Sequence, residues 1–319
     1  MQRSRVYITH VTEEYLEIAK NLAVSINKFS KIQLIIYCIN FKPIDGFFND
    51  LPNVESRFIE LDSLMESNGD EYTLNVDGNL YVNRNNDRIY QILCAKTLAM
   101  ESALNEFDEV CYLDSDCIAT PIVDELFEWI YLVEDYPLAT RGVHDFLIIA
   151  ENGIERGNPF EDHWPTPNIK LSLEWPLMKI LDVPENKRGV YRTTNVLIMN
   201  KKCISFIKLW KDVCYILPRL LDTWKFAPFH EETIFNTLVW KKTNIGLPLC
   251  YINIGEGIET VKHFYSTEVD IDTSSWEETS RVFYKIPANK RDIKVLHGEK
   301  RKIEVDKILE FVNTLITSI

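Results

Sequence analysis

The stretch that decides the fold is VCYLDSD, residues 110–116, an apolar run that ends in two aspartates one residue apart. In an extended strand, side chains two positions apart project to the same side, so Asp114 and Asp116 converge on one point beyond the strand end. Two carboxylates held together repel each other, which indicates a bound cation. Their hard oxygen atoms suit Mn²⁺ or Mg²⁺. The alternative is an ordinary Asp-Ser-Asp turn, because these residues favour turns.

The sequence before this stretch alternates between strand and helix patterns. Apolar runs at 6–9 and 32–39 predict strands, and an apolar face at helical spacing, capped by Thr12, lies between them. Continuous apolar strands joined by a helix indicate a parallel sheet covered on both faces. Ligands of such sheets bind beyond the carboxyl ends of the strands. Thr9, His10 and Asn40 are therefore candidate binding residues, with ordinary loop capping as the alternative.

The remaining patterns predict one α/β domain over residues 1–319, with no repeat and no linker. Residues 1–120 form its first half, and residues 121–319 its second half, which includes an irregular, proline-containing insert at 144–189. Residues 66–88 read as a surface loop or hairpin. Further strands are predicted at 57–61, 109–113, 137–141, 193–200, 247–254 and 293–297, and further helices at 89–104, 126–130, 202–217, 231–240 and 305–315.

The composition restricts the partners of the chain. Its 48 acidic and 35 basic residues give a formal net charge of -13, which argues against a general nucleic-acid binder. Neither a signal peptide nor the roughly 20 apolar residues of a membrane span can be recognised. The seven cysteines include no CxxC pair and read as reduced core thiols. We therefore expect a soluble, cytoplasmic protein.

Residues 88–129 resemble the signature stretch of the family 8 glycosyltransferases, the relatives of glycogenin and the bacterial lipopolysaccharide galactosyltransferases. The similarity consists of Lys96 on a helix, the strand that ends in YLDSD, and DELF at 124–127. LATRGVHD at 138–145 and HGEK at 297–300 are similar to later blocks of the family. YRTTNVLIMN at 191–200 lacks the glycine of its counterpart, and EETIFN at 231–236 stands where the family has Asp-Gln-Asp.

The resemblance implies a GT-A (Rossmann-like) fold, with a mixed, mostly parallel central sheet flanked by helices. It also implies transfer of a sugar from a nucleotide-diphosphate sugar, with UDP as the nucleotide, by a retaining reaction. Residues 1–120 would bind the nucleotide and residues 121–319 the acceptor, whose identity the sequence does not reveal. The metal, Mn²⁺ or Mg²⁺, would be held by Asp114, Asp116 and His297.

The family pattern also assigns residues to the donor and to the reaction. Residues that would lie around the diphosphate are Arg88, Lys96, Ser115, Gly298 and Lys300, with surface solvation as the alternative for Arg88 and Lys96. Thr9, His10 and Asn40 would then lie near the nucleobase and ribose. Asn195, Glu231 and Glu232 are the candidate catalytic residues, contacting sugar and acceptor. The two glutamates can serve either stereochemical course, or can simply favour the start of a helix.

Aromatic and polar side chains in the irregular insert are candidates for an acceptor platform, or for structural packing. They are His144, Asp145, His163, Trp164 and Trp175.

Two other functions remain open at the level of sequence. Phosphatases of the haloacid-dehalogenase type also end an apolar strand in two aspartates, but Ile118 stands where they have Thr or Val. Their later acidic pair would have to be Asp270 and Asp272, which no clear apolar strand precedes. A nucleotide-sugar-binding protein without activity is the other alternative, because residues 195 and 231–233 depart from the family pattern.

Overall fold

The computed structural model describes residues 3–61, 71–76, 79–84, 87–132, 138–143, 147–150, 153–156, 175–187, 191–221, 230–242, 261–263 and 295–297. The strands are β1 (Arg5–Val11), β2 (Leu34–Ile39), β3 (Val54–Ile59), β4 (Glu71–Val76), β5 (Asn79–Arg84), β6 (Glu109–Leu113), β7 (Cys117–Ala119), β8 (Leu138–Val143), β9 (Leu147–Ala150), β10 (Gly153–Arg156), β11 (Tyr191–Asn200), β12 (Val261–His263) and β13 (Val295–His297). The helices are α1 (Leu16–Phe29), α2 (Asp87–Glu106), α3 (Trp175–Ile180), α4 (Ile204–Leu221) and α5 (His230–Lys242). Short 3₁₀ helices cover Glu13–Tyr15, Val123–Leu132, Glu185–Lys187 and Lys201–Cys203.

Six strands form the central sheet, in the order β3-β2-β1-β6-β11-β8. The first four are parallel to one another, whereas β11 runs antiparallel to both of its neighbours. Every residue of β2 and β6 is buried, as expected for strands covered on both faces. The predicted α/β class, with a mixed, mostly parallel sheet flanked by helices, is confirmed.

Alternate residues of β1 serve the two faces of the sheet. On one face, Tyr7 packs edge-on against Phe127 of the 3₁₀ helix, with 5.0 Å between ring centroids. On the other face, His10 lies against Tyr112 of β6 and α2. This second face also carries α4 and α5, which pack on α2 around the buried indole of Trp210.

Several element predictions are confirmed with shifted bounds. Residues 66–88 contain the antiparallel hairpin of β4 and β5, and β1 extends to Val11. The predicted cap of the first helix is wrong, because Thr12 makes no side-chain cap bond and donates its hydroxyl to Glu14 instead, at 2.7 Å. The 3₁₀ turn at Glu13–Tyr15 then leads into α1.

The irregular insert is more regular than expected where the structure describes it. It contains the hairpin of β9 and β10 and the short helix α3. Trp175 opens that helix and is buried in the core, which favours structural packing, the alternative to an acceptor platform, for this residue. The predicted elements at 247–254 and 305–315, and the platform candidates His144, Asp145, His163 and Trp164, lie outside the described residues.

Two predictions from composition can be compared with the described part of the chain. Six cysteines are described, and all are buried with free thiols, as expected for core residues. None of the described helices is long and apolar enough to cross a membrane.

Candidate active site

The aspartate pair lies where the order of the central sheet reverses. From β1 the chain continues outward to β2 and β3, whereas β6 and the later strands add on the other side. Parallel sheets bind ligands in the crevice beyond the carboxyl ends of the two strands at such a switch point. Asp114 directly follows β6 at this point, so the topology puts the two aspartates at the expected binding crevice.

A tight turn presents the aspartate pair. The Cys117 amide donates to the carbonyl oxygen of Asp114 at 3.0 Å, and the Asp114 amide donates to the carbonyl oxygen of Asn195 at 2.9 Å. The turn is therefore fastened to both β6 and β11. Asp114, Ser115 and Asp116 are all half-buried, and the Asp114 side chain is 29% exposed, so its carboxylate can be reached from the crevice.

Lys96 reaches the same carboxylate from inside the protein. Its Nζ lies 2.9 Å from Glu231 Oε1, 2.9 Å from the Thr194 hydroxyl, 3.2 Å from the Thr194 carbonyl oxygen and 3.5 Å from Asp114 Oδ1. An ammonium has three N–H donors, and these acceptors occupy them. Burial alone would lower the pKa of Lys96, but the carboxylates of Asp114 and Glu231 outweigh it and raise that pKa above its usual value. Lys96 is thus a buried, charged link between β6, β11 and α5.

The two glutamates at the start of α5 differ in accessibility. Glu231 is 3% exposed, and its burial raises its pKa against the opposing influence of Lys96. Glu232 is half-buried and accepts a hydrogen bond from the Thr194 amide at 2.7 Å. Burial, followed by repulsion from Glu231, raises the pKa of Glu232 to about 7. Glu232 can therefore take up or release a proton near neutral pH.

Asn195 lies between these groups. It is 5% exposed, and its side-chain oxygen accepts the Val196 amide at 3.0 Å. The three candidate catalytic residues are thus brought together, at the junction of β11 and the first turn of α5.

The candidates on β1 are less accessible than expected. Thr9 is fully buried, and its hydroxyl has no hydrogen-bond partner among the described residues. His10 is buried as well, and its Nδ1 lies 3.0 Å from the Tyr112 hydroxyl. Burial and the nearby Lys96 ammonium lower the pKa of His10 to about 4, so the imidazole is neutral at pH 7.

Asn40 and Arg88 already have partners in the structure. Asn40 has a positive φ of 58°, and its amide group bonds to the carbonyl oxygen and the N–H of Leu61 at 3.1 and 2.6 Å. It therefore ties the end of β2 to the chain beyond β3. Arg88 forms an exposed ion pair with Glu14 at 2.9 Å, next to the carboxyl end of β1.

The register of the small sheet places His297 beside the aspartate pair. β13 runs antiparallel to β7, and His297 lies opposite Cys117, the residue that follows Asp116. His263 of β12 lies opposite His297 in turn. Gly298 and Lys300 lie outside the described residues.

The residues around the crevice fit a divalent cation. Among the described residues, this region contains the carboxyl groups of Asp114, Asp116, Glu231 and Glu232, and the ammonium of Lys96 lies beside two of them. Such an excess of negative charge on hard oxygen donors favours a bound divalent ion. Within the described side chains, no group of three or more His, Cys, Asp or Glu residues is arranged to hold a metal ion.

Sequence reasoning missed two residues of this region, Thr194 and Tyr112. Thr194 and Tyr112 adjoin residues that were singled out, and a search for hydrogen-bonding side chains beside each candidate would have found them.

Comparison with known proteins gives similarity to solved structures only. Neither a protein-family model nor a curated protein matches the chain. The bifunctional glycosyltransferase WbbM is 11% identical, with a TM-score of 0.48 over 98% of this chain and 50% of WbbM. The glycosyltransferase GlyE of Streptococcus pneumoniae TIGR4 is 14% identical, with a TM-score of 0.47 over 99% of this chain and 63% of GlyE.

The galactosyltransferase LgtC, solved with donor and acceptor sugar analogs, is 12% identical, with a TM-score of 0.44 over 98% of this chain and 96% of LgtC. The chain thus spans half to two thirds of the length of the first two proteins and nearly all of LgtC. What each of these proteins transfers is a property of that protein.

Proposed function

We propose that the protein is a glycosyltransferase that moves a sugar from a nucleotide-diphosphate sugar to an acceptor hydroxyl, with a divalent metal ion at Asp114 and Asp116. The observation that carries this proposal is the position of the aspartate pair, partly exposed at the switch point of the sheet, with Glu231 and Glu232 on the neighbouring element. This arrangement supports the proposal because it puts two carboxylates suited to a metal ion close to a carboxyl group that can exchange protons.

The metal would be Mn²⁺ or Mg²⁺, held by the two aspartates and by His297, which the strand register supports. Such an ion, when bound, stabilises the negative charge of a departing diphosphate as a Lewis acid. Ser115 lies between the two ligands. Gly298 and Lys300 directly follow His297, so they remain candidates for diphosphate contacts, and UDP remains the proposed nucleotide.

Lys96 takes a different role from the one the sequence predicts. Its donors are already occupied by Glu231 and Thr194 inside the protein. We therefore assign it to positioning the carboxylates around the crevice, and Arg88, exposed on the surface, remains the candidate for the diphosphate. Thr9, His10 and Asn40 are assigned supporting roles, because Thr9 and His10 are buried and the side chain of Asn40 already bonds to Leu61.

Glu232 is the proposed acid–base group. It is the more accessible of the two glutamates, and its pKa of about 7 suits proton exchange with an acceptor hydroxyl at neutral pH. In a retaining reaction the same carboxylate would stabilise positive charge on the sugar. The retaining course is our proposal from the resemblance of residues 88–129, and NMR of the product anomer at early times tests it.

Calorimetric titration tests the donor site directly. UDP, GDP and CDP are each titrated with Mn²⁺ and with EDTA, into wild type and into Asp114→Asn and Asp116→Asn. Asp50→Asn, an identical change at an exposed loop position, is the matched control. We expect one nucleotide to bind with Mn²⁺, and binding to vanish with EDTA and in the two site variants only.

If none of the nucleotides binds in a metal-dependent way, the donor site is wrong. Hydrolysis of a chromogenic phosphate ester by wild type, lost in Asp114→Asn, would then indicate the phosphatase alternative. Nucleotide binding without sugar transfer to any acceptor or to water would favour the binding protein.

A further inference from the structure

Tyr112 of β6 connects two groups that sequence reasoning treated separately. Its hydroxyl donates to Asp114 Oδ1 at 2.8 Å, and the same hydroxyl lies 3.0 Å from His10 Nδ1. Tyr112 is 1% exposed and His10 is 7% exposed. A buried chain of hydrogen bonds therefore runs from β1, through β6, to the carboxylate at the crevice.

The ring of Tyr112 is held from its face as well. Lys96 Nζ lies 4.6 Å from the ring centroid, within the range of a cation–π contact, and 3.5 Å from Asp114 Oδ1. One buried ammonium thus contacts both the ring and the carboxylate to which the ring's hydroxyl donates. The orientation of Tyr112 is restricted by His10 at its hydroxyl and by Lys96 at its face.

We infer that Tyr112 is a positioning residue for the metal site, which aims the Asp114 carboxylate into the crevice and is itself held by His10. The inference rests on the proposed function, since it takes Asp114 as a metal ligand. Tyr112 and Asp114 project to the same side because they are two residues apart in an extended segment. The hydroxyl can therefore hold Oδ1 from behind while the carboxylate faces the crevice.

Hydrogen bonds behind a ligand restrict its rotation before the metal arrives. Without the Tyr112 hydroxyl, Asp114 would have to be ordered at the moment of binding, and metal affinity would fall. Loss of such an outer contact typically weakens metal binding by about 10-fold to 100-fold. The effect falls on affinity for the metal, whereas a metal-saturated protein would bind nucleotide much as before.

Tyr7 supplies a matched control in the same sheet. It lies on β1, is fully buried, and its hydroxyl also donates to a carboxylate, Asp124, at 2.9 Å. Tyr7 belongs to the opposite face of the sheet, next to Phe127. Tyr7→Phe and Tyr112→Phe therefore remove the same kind of buried hydrogen bond, in one case away from the crevice and in the other beside it.

The experiment measures Mn²⁺ binding by the EPR signal of free Mn²⁺, without nucleotide or sugar. The variants are Tyr112→Phe, Tyr7→Phe and His10→Gln, and thermal unfolding of each is followed in EDTA. We expect Tyr112→Phe to weaken Mn²⁺ binding by about 10-fold or more, His10→Gln to weaken it in the same direction, and Tyr7→Phe to leave it unchanged. The KM for Mn²⁺ should rise in Tyr112→Phe, with kcat at saturating Mn²⁺ largely retained.

The outcomes separate this inference from the proposed function. If wild type binds no Mn²⁺ alone but binds a nucleotide only with Mn²⁺, the proposed function stands and the preformed metal site, with the positioning role of Tyr112, is wrong. If wild type binds Mn²⁺ and Tyr112→Phe binds it equally well, the metal site stands and the positioning role is wrong. Equal losses in Tyr112→Phe and Tyr7→Phe would show a general loss of packing, and would also overturn it. Should Tyr112→Phe fail to fold, His10→Gln decides, since unchanged Mn²⁺ affinity in that variant contradicts the inference.

Discussion

The two ends of β6 carry carboxylates in opposite electrostatic settings. At the amino end, Glu109 is fully buried and is held by Arg3 at 2.9 Å and Arg5 at 2.8 Å. At the carboxyl end, Asp114 is partly exposed and shares the buried Lys96 with Glu231. Positive charge therefore exceeds negative charge around Glu109, whereas the reverse holds beyond Leu113.

This difference separates a structural carboxylate from a binding one. A buried acid that is fully paired has no capacity left for a ligand, and its role is to fasten the start of β1 and the residues before it to β6. A partly exposed acid within an excess of negative charge can be stabilised by a cation from solution. The predictions below compare the two ends, beginning with the largest expected effect.

The largest effect is expected for Lys96→Met, which removes the buried cation at the carboxyl end. Glu231 would then be buried without a counter-charge, and breaking such a pair costs about 3–5 kcal/mol of unfolding free energy. Urea unfolding at pH 8 measures it. Lys211→Met, which breaks the part-exposed pair of Lys211 with Glu101 at 2.6 Å, is the control and should cost about 1 kcal/mol or less.

The double variant Lys96→Met/Glu231→Gln tests the physical reason. With Glu231 neutral, no unpaired charge remains buried, so the double variant should be more stable than Lys96→Met alone. A double variant that is less stable than Lys96→Met would mean that lost packing, and not the charge, explains the effect.

The next largest effect is expected for Glu109→Gln. It should destabilise the protein more than Asp114→Asn does at the other end of β6. Glu109→Gln removes hydrogen bonds between charged groups and should cost about 2–3 kcal/mol. Asp114→Asn relieves repulsion among carboxylates but weakens the attraction to Lys96, so these opposing effects should change the stability of the metal-free protein by about 1 kcal/mol or less. Chemical unfolding in EDTA measures both, and a larger loss in Asp114→Asn would invert the comparison.

The sheet and the aspartate pair could be predicted from sequence because both depend on local pattern. The apolar runs of β2 and β6 determine burial directly, and a strand that ends in Asp-x-Asp sets the direction of both carboxylates through the alternation of side chains. The role of Lys96 could not be predicted in this way. Its partners, Glu231 and Thr194, are 135 and 98 residues away along the chain, and only the packing of α2 and α5 against β11 brings them together.

The environments of Asn40 and His10 could not be predicted either, because they also depend on residues far away along the chain. A polar residue at the predicted end of a strand faces solvent or ligand in most arrangements, and sequence gives no sign that Asn40 pairs with Leu61 instead. His10 was placed beyond a strand that in fact continues to Val11. That extension keeps the imidazole inside the sheet, against Tyr112.

A pH dependence of stability is expected from Glu232. Its folded-state pKa of about 7 lies above the ordinary value of 4.5, so the folded chain binds the proton more tightly than the unfolded chain does. Stability should therefore fall as the pH rises from about 4.5 to about 7. The free energy of unfolding should therefore fall by about 1–2 kcal/mol less in Glu232→Gln than in wild type, a value that allows for the partial exposure of the side chain. Urea unfolding at pH 5 and pH 8 in EDTA measures it, and parallel losses in both proteins would contradict the assignment.

The smallest expected effect is a change in nucleotide affinity, and it follows from a comparison of Arg5 with Arg88. Arg5 is held by a buried carboxylate, whereas Arg88 is held by the exposed Glu14, whose side chain is 62% accessible. An exposed pair contributes at most about 1 kcal/mol, so a diphosphate can replace Glu14 as the partner of Arg88. Glu14→Gln should then raise the affinity for the nucleotide by up to about 5-fold, as measured by calorimetry with saturating Mn²⁺.

Glu13→Gln makes the same change in net charge at the adjacent exposed position and corrects for the general field of the protein. The gain in Glu14→Gln should exceed that in Glu13→Gln, and it should disappear when Arg88→Gln is added to both, because the released guanidinium is then absent. Equal affinities in the two single variants would place Arg88 outside the donor site. The carboxyl end would then bind diphosphate through the metal and the residues after His297 alone.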